Sequence, residues 1–184
     1  MTFAATITDN SKRQVIKMSS MDLGKDIVIA YIRQNFDRGA TILDVGACDG
    51  KWSELLDPTF FQIDAVEIFE PNVRKHNLEA KYRKVIVDDV KNYKYDWYDV
   101  VIFGDVVEHM TVEDAKRNLD YAKAHAKEVI VAVPFKWPQG AIYGNKWEEH
   151  IQDDLTDEVF INRYPGFKSM INLGNYCYYR KDCD

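Results

Sequence analysis

Short apolar runs alternate with amphipathic stretches along most of the chain. Five of these runs have the length and composition of buried strands, and they cover 41–45, 61–69, 84–89, 98–105 and 128–134. The run YDVVIFGD at 98–105 is the most apolar, which is typical of a central strand that is covered on both faces. Stretches with helical spacing separate the runs. This alternation predicts a parallel sheet with helices on both of its faces.

The helical stretches begin at residues that favour helix starts. Asp22 is placed to cap a first helix. The apolar face predicted for this helix consists of Leu23, Ile27, Val28 and Tyr31. Pro71 suits the first turn of the helix that follows the second strand. Thr111 and Thr156 stand where two later helices need an N-cap, so both helices are expected to begin directly after them.

The chain ends in two further strand-like runs, FKSMIN and YCYYRK, joined by a turn that contains Gly174 and Asn175. These runs predict an antiparallel hairpin at one edge of the sheet. The fold class is therefore α/β: a doubly wound, mostly parallel seven-stranded sheet, Rossmann-like, in three α-β-α layers. We expect residues 1–184 to form a single domain, with an N-terminal arm at 1–21 and a lid over the ligand site at 135–154.

Composition and charge narrow the class of protein. The 184 residues are 46% hydrophobic and 29% charged, with a formal net charge of −6. A protein with a negative net charge is poorly suited to bind DNA through the DNA phosphates. No apolar run approaches the roughly 18 residues that span a bilayer, no secretory signal opens the chain, and three cysteines are too few for a disulfide scaffold. We therefore expect a cytoplasmic protein that binds neither DNA nor membranes.

The first strand runs directly into a glycine turn, in the sequence ILDVGACDGKW at 42–52. Asp44 stands near the end of the strand, and Gly46 and Gly50 bracket the turn ahead of a short helix. Ligands of doubly wound sheets bind beyond the carboxyl ends of the strands. We therefore expect this turn to line a ligand pocket, with Cys48 at the point where the ligand approaches the backbone.

Acidic residues follow the next two strands. Glu67 ends the second strand, where a carboxylate can accept both hydroxyls of a ribose. Asp88 and Asp89 end the third strand, where an acid can accept from an adenine amino group. Acids at three strand ends beside one glycine turn predict an adenosine pocket. A nicotinamide dinucleotide fits less well, because Cys48 replaces a glycine of its fingerprint and Asp49 would repel the pyrophosphate.

Four segments in this order and spacing, LDVGACDG, VEIFEP, VDDV and GDVVEHM, resemble motifs of class I S-adenosylmethionine-dependent methyltransferases. The resemblance implies an enzyme with S-adenosylmethionine as its cofactor. It also implies the cofactor-binding residues, which are Asp44, Gly46, Ala47, Cys48, Gly50, Glu67, Ile68, Asp89, Val90, Gly104 and Asp105. By this resemblance Asp44 holds the methionine end of the cofactor, and Glu67 binds its ribose. Cys48 departs from the glycine of the family motif, a variation that related enzymes tolerate.

The segment after the fourth strand carries a second set of candidate ligands. If a helical turn begins at Asp105, then Asp105, Glu108 and His109 share one face. This stretch resembles the acid-x-x-Glu-His motif of metal-assisted O-methyltransferases, among them ubiquinone-pathway enzymes and small-RNA 2′-O-methyltransferases, which use a further histidine downstream. His150 fills that role here, which gives a divalent metal site of Asp105, Glu108, His109 and His150. Without a metal, His109 or His150 serves as the catalytic base.

The sequence indicates less about the methyl acceptor than about the cofactor. The aromatic-proline motif of DNA N-methylation is absent after the fourth strand, and the segment 135–154 offers Trp137, Tyr143 and Trp147 for stacking on a ring or sugar. We predict direct methyl transfer to an oxygen or nitrogen of a small-molecule acceptor. Two alternatives stay open here: a metal-assisted RNA 2′-O-methyltransferase, and a catalytically inactive S-adenosylmethionine-binding module. A homodimer through the free edge of the terminal hairpin also stays open.

Overall fold

A computed structural model of the protein describes residues 22–142 and 144–183. The predicted arm at 1–21 and the side chain of Tyr143 lie outside these residues. The strands are β1 (Thr41–Val45), β2 (Gln62–Glu67), β3 (Lys84–Val87), β4 (Tyr98–Gly104), β5 (Ala126–Pro134), β6 (Lys168–Asn172) and β7 (Tyr176–Asp182). The helices are α1 (Lys25–Asn35), α2 (Lys51–Leu56), α3 (Glu70–Lys75), α4 (Val112–Ala124) and α5 (Asp157–Arg163). Within the two described ranges, every helix is too short or too polar to span a bilayer.

The strands pair into one seven-stranded sheet in the order β3-β2-β1-β4-β5-β7-β6. The first five strands of the chain run parallel to one another, whereas β7 pairs antiparallel with both β5 and β6. Because chain order reverses between β1 and β4, the connections from these strands leave on opposite sides and open a crevice beyond their carboxyl ends. The predicted sheet with its terminal hairpin is confirmed.

Successive side chains of the central strands pack on opposite faces of the sheet. Ile42 belongs to a buried cluster with Val28 of α1 and Trp52 of α2, and α3 contributes to the same cluster. Leu43 belongs to a second cluster with Leu119 of α4, to which α5 also contributes. Helices α1, α2 and α3 therefore cover one face and α4 and α5 the other, which confirms the three-layer arrangement.

Three of the four predicted helix starts are confirmed, among them Pro71 in the first turn of α3, and one is displaced. The Thr111 and Thr156 hydroxyls each accept a hydrogen bond of 3.1 Å from the backbone N–H three residues later, so they cap α4 and α5. Helix α1 begins after Gly24, whose φ is 88°, and its N-cap is Gly24 rather than Asp22. A glycine adopts this left-handed conformation without the strain that a side chain would add.

The apolar face predicted for α1 is confirmed only in part: Val28 is fully buried and Tyr31 packs against the core. Leu23 and Ile27 are 62% and 52% exposed. The buried face of the helix consists of Lys25, Val28 and Ile32. Lysine is rarely found in a core position, but the stem of Lys25 packs beside the Trp52 ring, with its Nζ 5.3 Å from the ring centroid. The helix therefore turns a charged residue inward, which hydrophobic spacing cannot predict.

Candidate functional site

A cavity of about 620 Å³ lies beyond the carboxyl ends of the four strands β1 to β4. Residues that follow these strands form its floor, and residues of the segment 137–151 form much of its opposite wall. Open α/β sheets bind their ligands at this position, and pockets for small molecules have volumes of this order. The segment 135–154, which the sequence predicted as a lid, therefore does border the cavity.

The turn after β1 brings its backbone to the cavity. Gly46 and Gly50 have φ values of 75° and 80°, and Cys48 between them has a φ of 48°. A Cβ on Gly46 would lie only 2.5 Å from Cγ2 of Val106, so position 46 has no room for a side chain. Cys48 thus adopts a left-handed conformation that is easier for glycine. Burial raises the pKa of its thiol, which makes Cys48 a poor nucleophile.

Glu67 of β2 holds this turn in place. Its two carboxylate oxygens accept hydrogen bonds from the backbone N–H groups of Cys48, at 2.7 Å, and Phe69, at 2.8 Å. The side chain is almost fully buried, and burial raises its pKa. Each carboxylate oxygen can accept more than one hydrogen bond. Glu67 therefore fixes the turn and lines the cavity with acceptor capacity that remains for a ligand.

Two residues predicted to bind the ligand lie behind the cavity wall instead. Asp44 is fully buried, its carboxylate accepts a hydrogen bond from the Tyr82 hydroxyl, and burial raises its pKa to about 7. A Cβ on Gly50 would lie 2.7 Å from Cδ of Lys81. Asp44 and Gly50 are therefore not among the residues that line the cavity, and their contact with the cofactor stays a prediction.

The other residues predicted for the cofactor line the cavity. They are Gly46, Ala47, Cys48, Glu67, Ile68, Asp89, Val90, Gly104 and Asp105. Lys91 orients the Asp89 carboxylate, because its backbone N–H and its ammonium lie 2.9 Å and 3.2 Å from the two oxygens. A Cβ on Gly104 would lie 2.4 Å from Nε1 of Trp52. Trp52 also lines the cavity, and the sequence did not identify it as a site residue.

The chain after β4 does not form the helical turn predicted to begin at Asp105. Asp105 has a left-handed φ of 56°, and its carboxylate accepts a 2.7 Å hydrogen bond from the Tyr176 hydroxyl of β7. A short 3-10 turn begins only at Val107 and ends at His109. Asp105 is consequently not among the residues whose ligand atoms converge, which corrects its predicted place in the metal set.

The other three predicted metal ligands, Glu108, His109 and His150, do come together. One ligand atom of each residue lies within 4.8 Å of the other two. The two imidazole rings stand edge to face with their centroids 4.6 Å apart. All three residues line the cavity. His150 therefore folds back over the end of β4 even though some forty residues separate it from His109 in the sequence.

Backbone carbonyl groups orient both imidazoles. Nδ1 of His109 lies 3.1 Å from the Glu149 carbonyl oxygen, and Nδ1 of His150 lies 2.6 Å from that of Trp137. Burial lowers the pKa of both histidines, that of His109 to about 4, and each ring is therefore neutral near pH 7. A carbonyl oxygen only accepts, so Nδ1 carries the proton and Nε2 keeps its lone pair. Metal-binding histidines are held in this way.

Glu108 is buried beside these rings without a partner for its charge. It is 1% exposed, and neither carboxylate oxygen has a hydrogen-bond partner in the part of the chain that the structure describes. Burial, together with the nearby charge of Asp105, holds the pKa of Glu108 well above its usual range. An uncompensated buried carboxylate is costly. Beside two imidazole lone pairs it forms a donor set that fits a divalent transition-metal ion.

Comparison with known protein families gives a match over most of the chain. A family described as "Methyltransferase domain" matches residues 25–157. This stretch includes the glycine turn, the strand ends that border the cavity and all three converging residues. No curated protein sequence matches the chain.

Solved structures share the fold at low sequence identity. An S-adenosylmethionine-dependent methyltransferase from Clostridium acetobutylicum is 11% identical, with a TM-score of 0.64 over 84% of this chain and 88% of that one. Magnesium protoporphyrin IX methyltransferase from Synechocystis, solved with bound S-adenosylhomocysteine, is 17% identical, with a TM-score of 0.58 over 84% and 80%. The N-methyltransferase NodS from Bradyrhizobium japonicum is 7% identical, with a TM-score of 0.58 over 86% and 94%. The family match and the shared fold together place the chain among the class I S-adenosylmethionine-dependent methyltransferases, to which it belongs as an enzyme with that cofactor.

Proposed function

We propose that the protein transfers a methyl group to an oxygen of a small-molecule acceptor, with a divalent metal ion held by Glu108, His109 and His150. The unpartnered carboxylate of Glu108, which lies beside two imidazoles that carbonyl groups orient, carries this proposal. The sequence left oxygen and nitrogen acceptors open. A metal donor set favours oxygen, because a hydroxyl must lose its proton and coordination to a metal ion lowers its pKa.

The cofactor is expected on the glycine-turn side of the cavity. The backbone of Gly46 and Cys48 lines the cavity beside Glu67, whose remaining lone pairs can accept the ribose hydroxyls. Ile68, Asp89 and Val90 stand where the adenine would lie. When bound, S-adenosylmethionine supplies a methyl group that is already activated by its sulfonium. The chain's own contribution is therefore mainly to align the acceptor oxygen with that methyl group.

The charges around the cavity support a small acceptor over RNA. Among the described residues, nine acidic side chains line the cavity, namely Asp49, Glu67, Asp88, Asp89, Asp105, Glu108, Asp114, Glu148 and Glu149. Three lysines line it as well: Lys51, Lys91 and Lys146. A wall with this excess of carboxylates repels a phosphate backbone. It suits the positive sulfonium of the cofactor, and a small acceptor without phosphates is unaffected.

The segment 135–154 is proposed to form the acceptor side of the cavity. Trp137 and Trp147 line the cavity and are 50% and 39% exposed, so both keep ring surface that is accessible to a ligand. Exposed tryptophans of this kind stack on rings and sugars. His150 and its carbonyl partner Trp137 lie in the same segment, which connects acceptor binding to the proposed metal centre.

Removal of the metal ion with EDTA tests the proposed metal centre. Protein treated with EDTA is expected to bind one equivalent of Mn²⁺ in a calorimetric titration. Turnover of hydroxylated acceptors, detected by product mass, should stop in EDTA and return with Mn²⁺, Fe²⁺ or Zn²⁺, whereas Mg²⁺ should restore it poorly because imidazole ligands suit it less. Undiminished turnover by metal-free protein would mean that His109 and His150 act as acid-base groups, and the metal centre would be wrong.

A substitution of Glu67 tests the proposed cofactor-binding site. Glu67→Ala removes the acceptor proposed for the ribose hydroxyls and one support of the glycine turn, so it should weaken S-adenosylmethionine binding by about 1–3 kcal/mol. Glu149→Ala is the matched control, since Glu149 lines the same cavity with an exposed side chain but has no assigned contact with the cofactor. Calorimetry gives both affinities. Equal affinities for the Glu67→Ala variant and the parent would remove Glu67 from the cofactor site.

A further inference from the structure

Gln152 is a buried polar residue next to the three converging residues, and none of the roles described above includes it. It is 3% exposed. Its Nε2 donates hydrogen bonds to the carbonyl oxygens of Val107, at 2.8 Å, and Met110, at 3.1 Å. Its Oε1 accepts from the Tyr164 hydroxyl, at 2.8 Å, and from the Arg163 guanidinium, at 3.2 Å. Both N–H donors and both acceptor lone pairs of this amide are thus engaged.

The two donated bonds bracket the turn that carries Glu108 and His109. Val107 precedes these residues and Met110 follows them, so a primary amide with two N–H bonds holds both ends of the turn. The backbone adds two more contacts, because the Glu108 carbonyl oxygen accepts from the N–H groups of residues 151 and 152, at 2.8 Å and 2.9 Å. Four hydrogen bonds from these two positions therefore fix the turn against the chain that carries His150.

The hydrogen bonds that Oε1 of Gln152 accepts determine the orientation of the amide group. Tyr164 and Arg163 are donors, so they require the oxygen of Gln152 to face α5 and its nitrogen to face the turn. Arg163 is itself held by the Asp154 carboxylate, at 2.8 Å. The orientation of the amide is thus set by residues that lie outside the cavity wall.

We infer that Gln152 is a positioning residue, whose side-chain amide sets the placement of Glu108 and His109 relative to His150. The inference rests on the proposed function, in which these three residues act as one centre. Their ligand atoms come from two segments that are distant in sequence, and metal or proton-transfer chemistry tolerates little error in such distances. Residues that orient ligands in this way commonly change metal affinity by about 10–100-fold when they are replaced.

Two variants separate the donor function of the amide from its bulk. Gln152→Glu keeps the size and the oxygen that faces Tyr164 and Arg163, but it places an acceptor against the Val107 and Met110 carbonyl groups. Gln152→Met keeps the approximate length without polar atoms. Both should weaken Mn²⁺ binding by about 10–100-fold and leave S-adenosylhomocysteine affinity unchanged. Thr156→Ala is the control, because it removes the cap of α5 and lowers stability without a contact to the turn.

Imidazole NMR of the metal-free protein provides a second readout. The signals of His109 and His150 should shift in both Gln152 variants and stay in place in Thr156→Ala, while His76 and His125 serve as references in the same spectra. A parent protein that binds no Mn²⁺ would refute the metal centre of the proposed function, and the imidazole signals alone would then decide the inference. Unshifted His109 and His150 signals in folded Gln152 variants, or unchanged Mn²⁺ affinity in a parent that binds the ion, would overturn it.

Discussion

Glu108→Gln is expected to abolish Mn²⁺ binding and to lower kcat by about a hundredfold or more, since a metal ion contributes several kcal/mol to such a reaction. The neutral amide has nearly the same shape as the carboxylate but lacks the charge that holds a cation between the two imidazoles. The metal-free variant should be at least as stable as the parent, because the parent buries a carboxylate without hydrogen-bond partners in the described chain. A residue that only supports the fold would lose stability on replacement.

Glu149→Gln is the matched control for this experiment. Glu149 also lines the cavity, but its side chain is exposed, and its contribution to His109 comes from the backbone carbonyl, which the substitution keeps. Thermal unfolding, Mn²⁺ calorimetry and turnover are measured on both variants. Parent-like kcat in Glu108→Gln, insensitive to EDTA, would show that no metal acts through Glu108.

Gly46→Val is expected to eliminate measurable S-adenosylmethionine binding and to lower the free energy of unfolding by roughly 2–6 kcal/mol, from a left-handed backbone and an overpacked contact together. The φ of Gly46 is 75°, and its Cβ would lie 2.5 Å from the Val106 side chain. The direct effect of the substitution is therefore a steric clash with Val106, and the loss of ligand binding follows from it. Relief of that clash would move the turn whose N–H at Cys48 binds Glu67.

Gly140→Val is the control for this substitution, because a Cβ on Gly140 would meet no atom within 4 Å. Urea unfolding gives the stability of both variants, and calorimetry with S-adenosylmethionine gives their affinities. A Gly46→Val protein with the unfolding midpoint and cofactor affinity of the Gly140→Val protein would refute the assignment of this turn.

The sheet could be predicted from sequence because its signals are local. Each central strand is a nearly continuous apolar run, as in YDVVIFGD, since both faces of a parallel sheet are covered. Thr111 and Thr156 mark helix starts through contacts with the backbone three residues away. The buried face of α1 could be predicted in this way only in part. It depends on the packing of Lys25 beside Trp52, and these residues are brought together only by the tertiary fold.

In the candidate site, too, local sequence signals could be used for prediction, whereas contacts that only the tertiary fold creates could not. Glu67 could be placed at the cavity because its position at a strand end follows from the sheet, and His150 could be placed near His109 because the family resemblance implies a downstream histidine. Asp105 was placed wrongly, since its orientation depends on a hydrogen bond to Tyr176, 71 residues away. Gln152 gave no signal at all. It lies in a segment without periodicity, and its role appears only once Val107, Met110 and α5 surround it.

The central claim is tested most directly by a crystal structure of the protein with S-adenosylhomocysteine and Mn²⁺, in which anomalous scattering locates the ion independently of any substrate. We predict one manganese peak within coordination distance of the Glu108 carboxylate and of Nε2 of both His109 and His150, on the acceptor side of the bound S-adenosylhomocysteine. A structure with S-adenosylhomocysteine in the cavity and no manganese peak between these three residues would contradict the account.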